Sequence, residues 1–589
     1  EADEQRNLAR LLGAWGHPLV DEHMGKLTSS RRETSVQAEG LMMAGYLQPT
    51  DDDPFKDTLK SIAKALKSRE PEVRAAACSA AGRWGDPSLI EPLVSLVRKD
   101  KEDYPGLYGV WALKRLGYEG GVSTFIHVLG STPKRSTREA CLKAVTELST
   151  AADVEDLLSL SKHNKTDYRD AAALALGRIA WRGGFGRAQA TGRRARPSAQ
   201  TVPDDVIDRL VTMVETEDDW EARSAARTSL LRIGEPARKT IQERLPNSID
   251  FSEEDCRLTS IELCGLYGAD EAFSAIYKTA IYDKSRTVRM FAARALEGIQ
   301  PEKAVQDLKE VVAGHGKKAR DYELQAVRAL GYIRVPAALD TLVSIIESGT
   351  ENEEILREVE FAMERLTGHR FGRRPDRWRR WLETAKNPLH PMIGEYDRQS
   401  NRREALERGL YGLTTETERA VENGLRWLEL QQHSVGFWDG NEKGFGGVVN
   451  CEPAYTGLSL LAFLGAGYNG RQGKYRETVR RAAEFLAATQ FYDGGFPVTG
   501  GGDDSWIYAY LIAMGIWGVT EGYALAAMDE LEEPAQWGID YLARVQTPGG
   551  GWRYGPRYHH SDTSCTSWVL MTLKAGDLVG LDVAQRSYD

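Results

Sequence analysis

The chain has 589 residues, 41% hydrophobic and 28% charged, and its 76 Lys and Arg against 86 Asp and Glu give a net charge of −10. That balance excludes an intrinsically disordered chain and disfavours a globally basic nucleic-acid binder. No apolar run reaches the roughly 18 residues of a membrane span, and six scattered Cys form neither a disulfide framework nor a zinc ribbon. The chain opens at Glu1 without Met. A segment upstream was therefore removed or left out, and a cleaved signal peptide fits as well as none. The expectation is a soluble protein, with cytoplasmic and exported locations both open.

In chain order, residues 51–368 repeat one unit: an amphipathic helix, a short polar turn, and a second helix that opens with a polar residue and often an Arg, then runs into small apolar residues. The second helices read EVRAAACSAAGRWG from Glu72, LYGVWALKRLG from Leu107, TREACLKAVTEL from Thr137, YRDAAALALGRI from Tyr168 and EARSAARTSLLRIG from Glu221. They continue as CRLTSIELCGLYG from Cys256, TVRMFAARALEGI from Thr287, YELQAVRALGYI from Tyr322 and LREVEFAMERLTG from Leu356. Most spacings are 31–35 residues, the period of a helical solenoid. Ala at the contacts permits close helix approach, and Gly after most second helices supplies a stop. Asp167 and Asp219 suit helix starts. The pattern resembles a HEAT-type array of about nine units, with a tenth in Thr34–Leu47. That resemblance implies a protein partner held on the array's surface.

One spacing, Tyr168 to Glu221, is 53 residues. The excess, 181–203, is Gly- and Pro-rich and carries Arg182, Arg187, Arg193, Arg194 and Arg196 with no acid. It reads either as a solvated insertion or as an electrostatic hook, with Arg187, Arg193, Arg194 and Arg196 as the partner-binding candidates. A second basic stretch, HRFGRRPDRWRRW from His369, spaces Trp378 and Trp381 to cover the end of the stack. We expect a cap over 369–385, with Arg stems lying on the rings, rather than a nucleic-acid site. The solenoid is thus expected over 1–385 and a junction over 386–415.

Seven of the 14 Trp follow residue 410. There, GLRWLELQQHSVGFW (Gly424–Trp438), AAEFLAATQFYDGGF (Ala482–Phe496) and GIDYLARVQTPGGGW (Gly538–Trp552) align without gaps. Each holds a small residue, an aromatic (Trp427, Phe485, Tyr541), a Leu, a Gln (Gln432, Gln490, Gln546) and a closing aromatic (Trp438, Phe496, Trp552). The aromatic and Leu are expected to be buried on one helix face, and the Gln to bond free backbone groups of the neighbouring loop, with Gly allowing the reversal. A second apolar helix follows each block.

These blocks resemble the Gln-Trp repeats of the squalene–hopene cyclase and protein prenyltransferase superfamily, and most of all the bacterial prenyltransferase/squalene-oxidase-repeat proteins, through FLGAGYNGRQGKY (from Phe463) and GGWRYGPRYHHSDTSCTSW (from Gly550). The implied fold is all-α: a HEAT-like α-solenoid followed, over 416–589, by a partial α/α-toroid. The family's ring has more helix pairs than the three found here, so a central face with Trp506, Trp517, Phe463 and Leu570 is expected to lie open. Further polypeptide is the favoured completion, ahead of a second copy or another chain.

The resemblance does not carry its chemistry with it. Cyclases use an Asp-x-Asp-Asp acid; Gly501-Gly502-Asp503-Asp504 lacks the first Asp, and Asp503 and Asp504, the only catalytic candidates, also suit a helix start. Prenyltransferases hold zinc with Asp-x-Cys; Asp562 and Cys565 are spaced Asp-x-x-Cys with His559 and His560 upstream, which departs from that pattern. No metal and no cofactor is expected. An apolar or isoprenoid ligand would meet Trp506, Tyr508, Trp552 and Trp568. The favoured reading is a non-catalytic scaffold: the solenoid engages a protein partner, and the toroid module mediates assembly, self-association included, or holds an apolar ligand. The alternatives are an isoprenoid-processing enzyme and a structural assembly component.

Overall fold

The computed structural model describes residues 5, 8–9, 21–47, 56–131, 133–183, 202–250, 253–314, 319–385, 388–389, 414–439, 451–470, 474–496, 508–525, 528–547, 549–554 and 560–588. Every regular element among them is helical, and none is long and apolar enough to cross a membrane. The chain forms two compact units. One joins residues 1–162 to 396–589, and the other is 163–395.

In both units the helices pair as the periodicity predicts. The second helices are Thr34–Ala44, Pro71–Trp84, Pro105–Arg115 and Arg135–Leu148 in the first unit. In the second they are Thr166–Trp181, Trp220–Ile233, Glu254–Tyr267, Arg286–Gly298, Ala319–Leu330 and Glu353–Thr367. The recurrent Arg near each start has one job. Arg74 grips Asp100 at 2.6 and 2.9 Å while donating to the carbonyls of Ser68 and Arg69 in its own turn. Arg169 does the same with Glu217 and Asp219 and with His163 O, Arg223 with Glu253 and Glu217 O, and Arg257 with Asp283. Arg74, Arg169 and Arg223 thus close their own turns, and Arg74, Arg169 and Arg257 reach the acid that ends the next first helix. This also corrects one expectation: Asp219 precedes its helix without capping it, because its carboxylate is committed to Arg169 and Thr166.

Close approach explains a second repeating position. A Cβ at Gly82 would come within 2.9 Å of Ala112 Cα, one at Gly265 within 2.7 Å of Ala295 Cα, and one at Gly331 within 2.7 Å of Ala362 Cβ. Successive second helices therefore touch backbone to backbone. The glycine stops follow three residues later, at Gly85 (φ 80°) and Gly268 (φ 62°).

After the last pair, helix Pro375–Thr384 closes the stack. Trp378 is buried and donates to Gly372 O, and Phe371, His369 and Trp381 gather around it. The arginine head groups pair with acids. Arg373 holds Glu353 and Glu360, and Arg379 holds Asp340 and Glu347. Those contacts keep the Glu353 and Glu347 carboxyls below their usual range, so much of the cluster's positive charge is matched within the protein.

The aligned Gln blocks share one geometry. Helices Thr415–Gln431, Arg476–Thr489 and Glu532–Arg544 each lead into a reversal at Gly436, Gly494 or Gly550, all at positive φ. The backbone bonds His433 N to Phe437 O, Phe491 N to Gly495 O and Thr547 N to Gly551 O span 2.8–2.9 Å. Gln432 Nε2 donates to Gly436 O at 2.9 Å within its own turn and to Thr478 O at 3.0 Å in the next helix. Gln490 repeats this with Gly494 O and Pro534 O, and Gln546 with Gly550 O and Ser587 O. Trp438 and Trp552 each donate from the ring nitrogen to a carbonyl ten residues back, Leu428 O and Leu542 O, at 2.8 Å. Helices Glu452–Gly465, Tyr508–Leu525 and Thr563–Leu578 pack side by side as a second layer.

Two expectations fail here. Phe463 is buried against Trp438 and Tyr475 rather than on an open face, because it points between the layers. Trp427 is 59% exposed although Phe485 and Tyr541, its counterparts, are buried. The face of the second block is covered by Tyr104 at 5.6 Å from Phe485, whereas no such ring covers Trp427 among the described residues.

Candidate functional site

The second helices of the first unit turn one face toward helix Arg476–Thr489, the helix of the second Gln block. The local sequence accounts for the fit. Ala482, Ala483, Ala487 and Ala488 keep that helix thin on more than one side, and all four are buried. Two of its charged residues, Arg481 and Glu484, are buried too. Arg481 donates to Glu39 at 2.8 Å, with side chains 1% and 0% exposed. Three residues on, Glu484 accepts from Arg83 Nε at 2.8 Å and Nη2 at 2.5 Å, and from Ser79 Oγ. At the helix end, Lys143 Nζ donates to Gln490 O at 2.6 Å and Ala487 O at 3.4 Å while paired with Glu147.

Around this row lie weaker contacts. Tyr108 donates to Val435 O at 2.9 Å, Ser434 to Glu72, and Lys114 to Glu533 at 2.6 Å, with Arg115 near Glu530. Arg83 also stacks on Tyr46 at 4.0 Å. Burial works against the Arg83 charge, but Glu484 more than offsets it and holds the guanidinium above its ordinary value. Burial likewise pushes the Tyr46 and Tyr108 hydroxyls up. Three bound groups at three heights (a carboxylate for Arg481, a guanidinium for Glu484 and an ammonium for the terminal carbonyls) make the face a reader of one helix polarity and register.

A second surface lies on the second layer, the helices Glu452–Gly465, Tyr508–Leu525 and Thr563–Leu578. Tyr455 and Leu458, Met514 and Trp517, and Trp568 and Met571 lie there half-buried or exposed. Trp517 meets Trp568 edge-on at 5.8 Å and donates to Glu521 at 3.2 Å. In the 163–395 unit, Leu266 is 58% and Phe361 61% exposed on second helices.

The residues singled out by sequence fare unequally. Asp503, Asp504 and Trp506 lie outside the described residues, as do Arg187, Arg193, Arg194 and Arg196; of Tyr508 only the backbone is described. Trp552 is 1% exposed with its ring nitrogen satisfied, a packing position rather than one a ligand could reach. Trp568 stays at the surface of the second layer. Asp562 caps helix Thr563–Leu578 through Ser564 N and Cys565 N. No cluster of three or more His, Cys, Asp and Glu suited to a metal occurs among the described residues, and His559 lies outside them. The Cys565 thiol is pushed up to about 11 chiefly by burial, and those of Cys264, Cys141 and Cys451 to about 12.

The family model for HEAT repeats matches residues 22–105. Those residues are HEAT repeats. The same Arg links and glycine contacts continue the pairing through residue 367. No curated protein matches the chain. Among solved structures, the Kap95:Nup1 complex is similar at TM-score 0.43 and 11% identity, over 98% of this chain and 86% of that one. Kap121p bound to Pho4p gives 0.37 and 11%, over 98% and 69%. A homology model of the full-length AP-3 complex in an intermediate open conformation gives 0.35 and 10%, over 97% and 94%.

Proposed function

We propose that the protein is a non-catalytic helical-repeat scaffold whose HEAT-type pairs hold a protein partner and whose Gln-block module serves assembly. The supporting observation is the first unit's own behaviour: a face built by second helices takes up an α-helix by paired charges and carbonyl contacts. In the 163–395 unit, the exposed Leu266 and Phe361 on second helices supply apolar anchors for such a helix. The test is native mass spectrometry of the full chain as isolated from its source, with lipid extraction, alongside Leu266→Asp/Phe361→Asp. A stoichiometric protein held by the unaltered chain and lost from the variant supports the scaffold. A co-purified isoprenoid and no protein would overturn it.

A second reading, a site for an apolar ligand on the Gln-block module, draws on the Trp517, Trp568, Met514 and Met571 surface. It is the reading under which the resemblance to terpene cyclases and prenyltransferases would extend from repeat pattern to ligand. Trp568 is the candidate that keeps a role in it.

A further inference from the structure

We infer that the face formed by Glu39, Ser79, Arg83 and Lys143 is a helix-recognition surface with a definite code, and that the chain keeps it filled with its own helix Arg476–Thr489. The code is an Arg followed three residues later by a Glu, on a helix with small residues between them and free carbonyls at its C-terminal end. The inference rests on the reading of the repeats as protein-binding and adds which surface binds, what it reads and why it is closed.

Charge complementarity carries the argument. Glu39 is fully buried and its carboxylate meets Arg481. Arg83 has two nitrogens on Glu484, with Ser79 completing that carboxylate's shell. Lys143, also fully buried, is aimed at the last carbonyls of the helix. Reversing the helix, or sliding it one turn, would set Arg481 beside Arg83 or leave Glu39 and Lys143 without this helix. The contact is specific in register in the way that buried polar pairs are, and such pairs add more to register than to net stability. The two sides are also remote in sequence, 442 residues apart at the Arg481–Glu39 bond, so the occupant comes from outside the repeats that form the face. A protein helix with the same Arg-x-x-Glu spacing matches the surface and would compete for it. A tethered occupant present more than ~90% of the time lowers a competitor's apparent affinity at least ~10-fold.

The probe is a labelled peptide of residues 474–492, titrated into the full chain. In one variant the tethered helix is reversed, Arg481→Glu with Glu484→Arg, leaving the face intact. We expect this variant to bind the natural peptide at least ~10-fold more tightly than the unaltered chain does, and to ignore a peptide carrying the same two reversals. A second variant reverses the face instead, Glu39→Arg with Arg83→Glu, and should prefer the reversed peptide. Helix content by circular dichroism confirms that each variant is folded. Equal binding by the unaltered and helix-reversed chains, or no binding by either folded variant, would overturn the inference. Retention of a partner through Leu266 and Phe361 in the same samples would show that the scaffold reading stands even if the code fails.

Discussion

The Arg481–Glu39 pair gives the most demanding test of how the first unit is held together. Both side chains are at most 1% exposed, and Glu39 holds Arg481 at 2.8 Å. The other acceptor near the same guanidinium nitrogen is Ser434 O at 3.4 Å, a weak contact. Glu39→Leu therefore takes the close acceptor from a buried cation, and Arg481→Met takes the guanidinium partner from a buried anion. Each should cost about 3–5 kcal/mol locally, whereas the double replacement, which removes both charges into apolar surroundings, should cost close to nothing. The coupling is then about as large as the two single effects together. Hydrogen exchange is the suitable assay, because two units need not unfold as one. Amides of helices 34–44 and 476–489 should exchange on the order of 10² to 10⁴ times faster in each single variant and near the original rate in the double. Singles that change exchange less than tenfold, or effects that add, would refute the reasoning.

Other expectations follow from the same contacts. Gln490→Leu removes two bonds, to Gly494 O and Pro534 O, so the second Gln block should lose about 1–3 kcal/mol, read as faster exchange in 485–496. Gly265→Ala forces a methyl against the Ala295 backbone. It should cost about 1–3 kcal/mol, seen as lower thermal stability, while Gly130→Ala, with open space around it, should cost none. Burial raises the Glu422 carboxyl, but bonds from Lys474, Tyr475 and Tyr468 outweigh it and hold it below its usual range. A depressed folded value means a contribution complete above the unfolded pKa of ~4.3 and lost as pH falls through the lower folded value. Glu422→Gln should therefore flatten the acid limb of stability against pH, and an unchanged limb would count against it.

Much of the architecture was legible because it is periodic. The second helices of 71–84 through 353–367 begin within three residues of where the small-residue runs place them. The Gln of each aligned block does bond the neighbouring backbone, three times over. A local pattern carries such information because each unit repeats the same nearest-neighbour contacts. What pattern could not show is pairing across 442 residues. Arg481 and Glu484 read as the polar side of an amphipathic helix, yet both are buried. A signal was present: alanines at 482, 483, 487 and 488 leave no wide polar face on that helix, and Glu39 sits between Ala38 and Gly40, just ahead of the apolar run LMMA. Trp427 shows the converse. Its alignment with Phe485 fixes its place on the helix, but burial depends on the neighbour, and Tyr104 lies beside Phe485.

The central claim, that repeats of residues 34–148 and the Gln-block module close on each other within one chain, is tested most directly by zero-length carbodiimide cross-linking of the full chain. Lys114 Nζ lies 2.6 Å from the Glu533 carboxylate, and both side chains are partly accessible. Tryptic mapping of the monomer band should recover the Lys114–Glu533 amide. Its absence from that band, or its recovery only from a covalent dimer, would contradict the account.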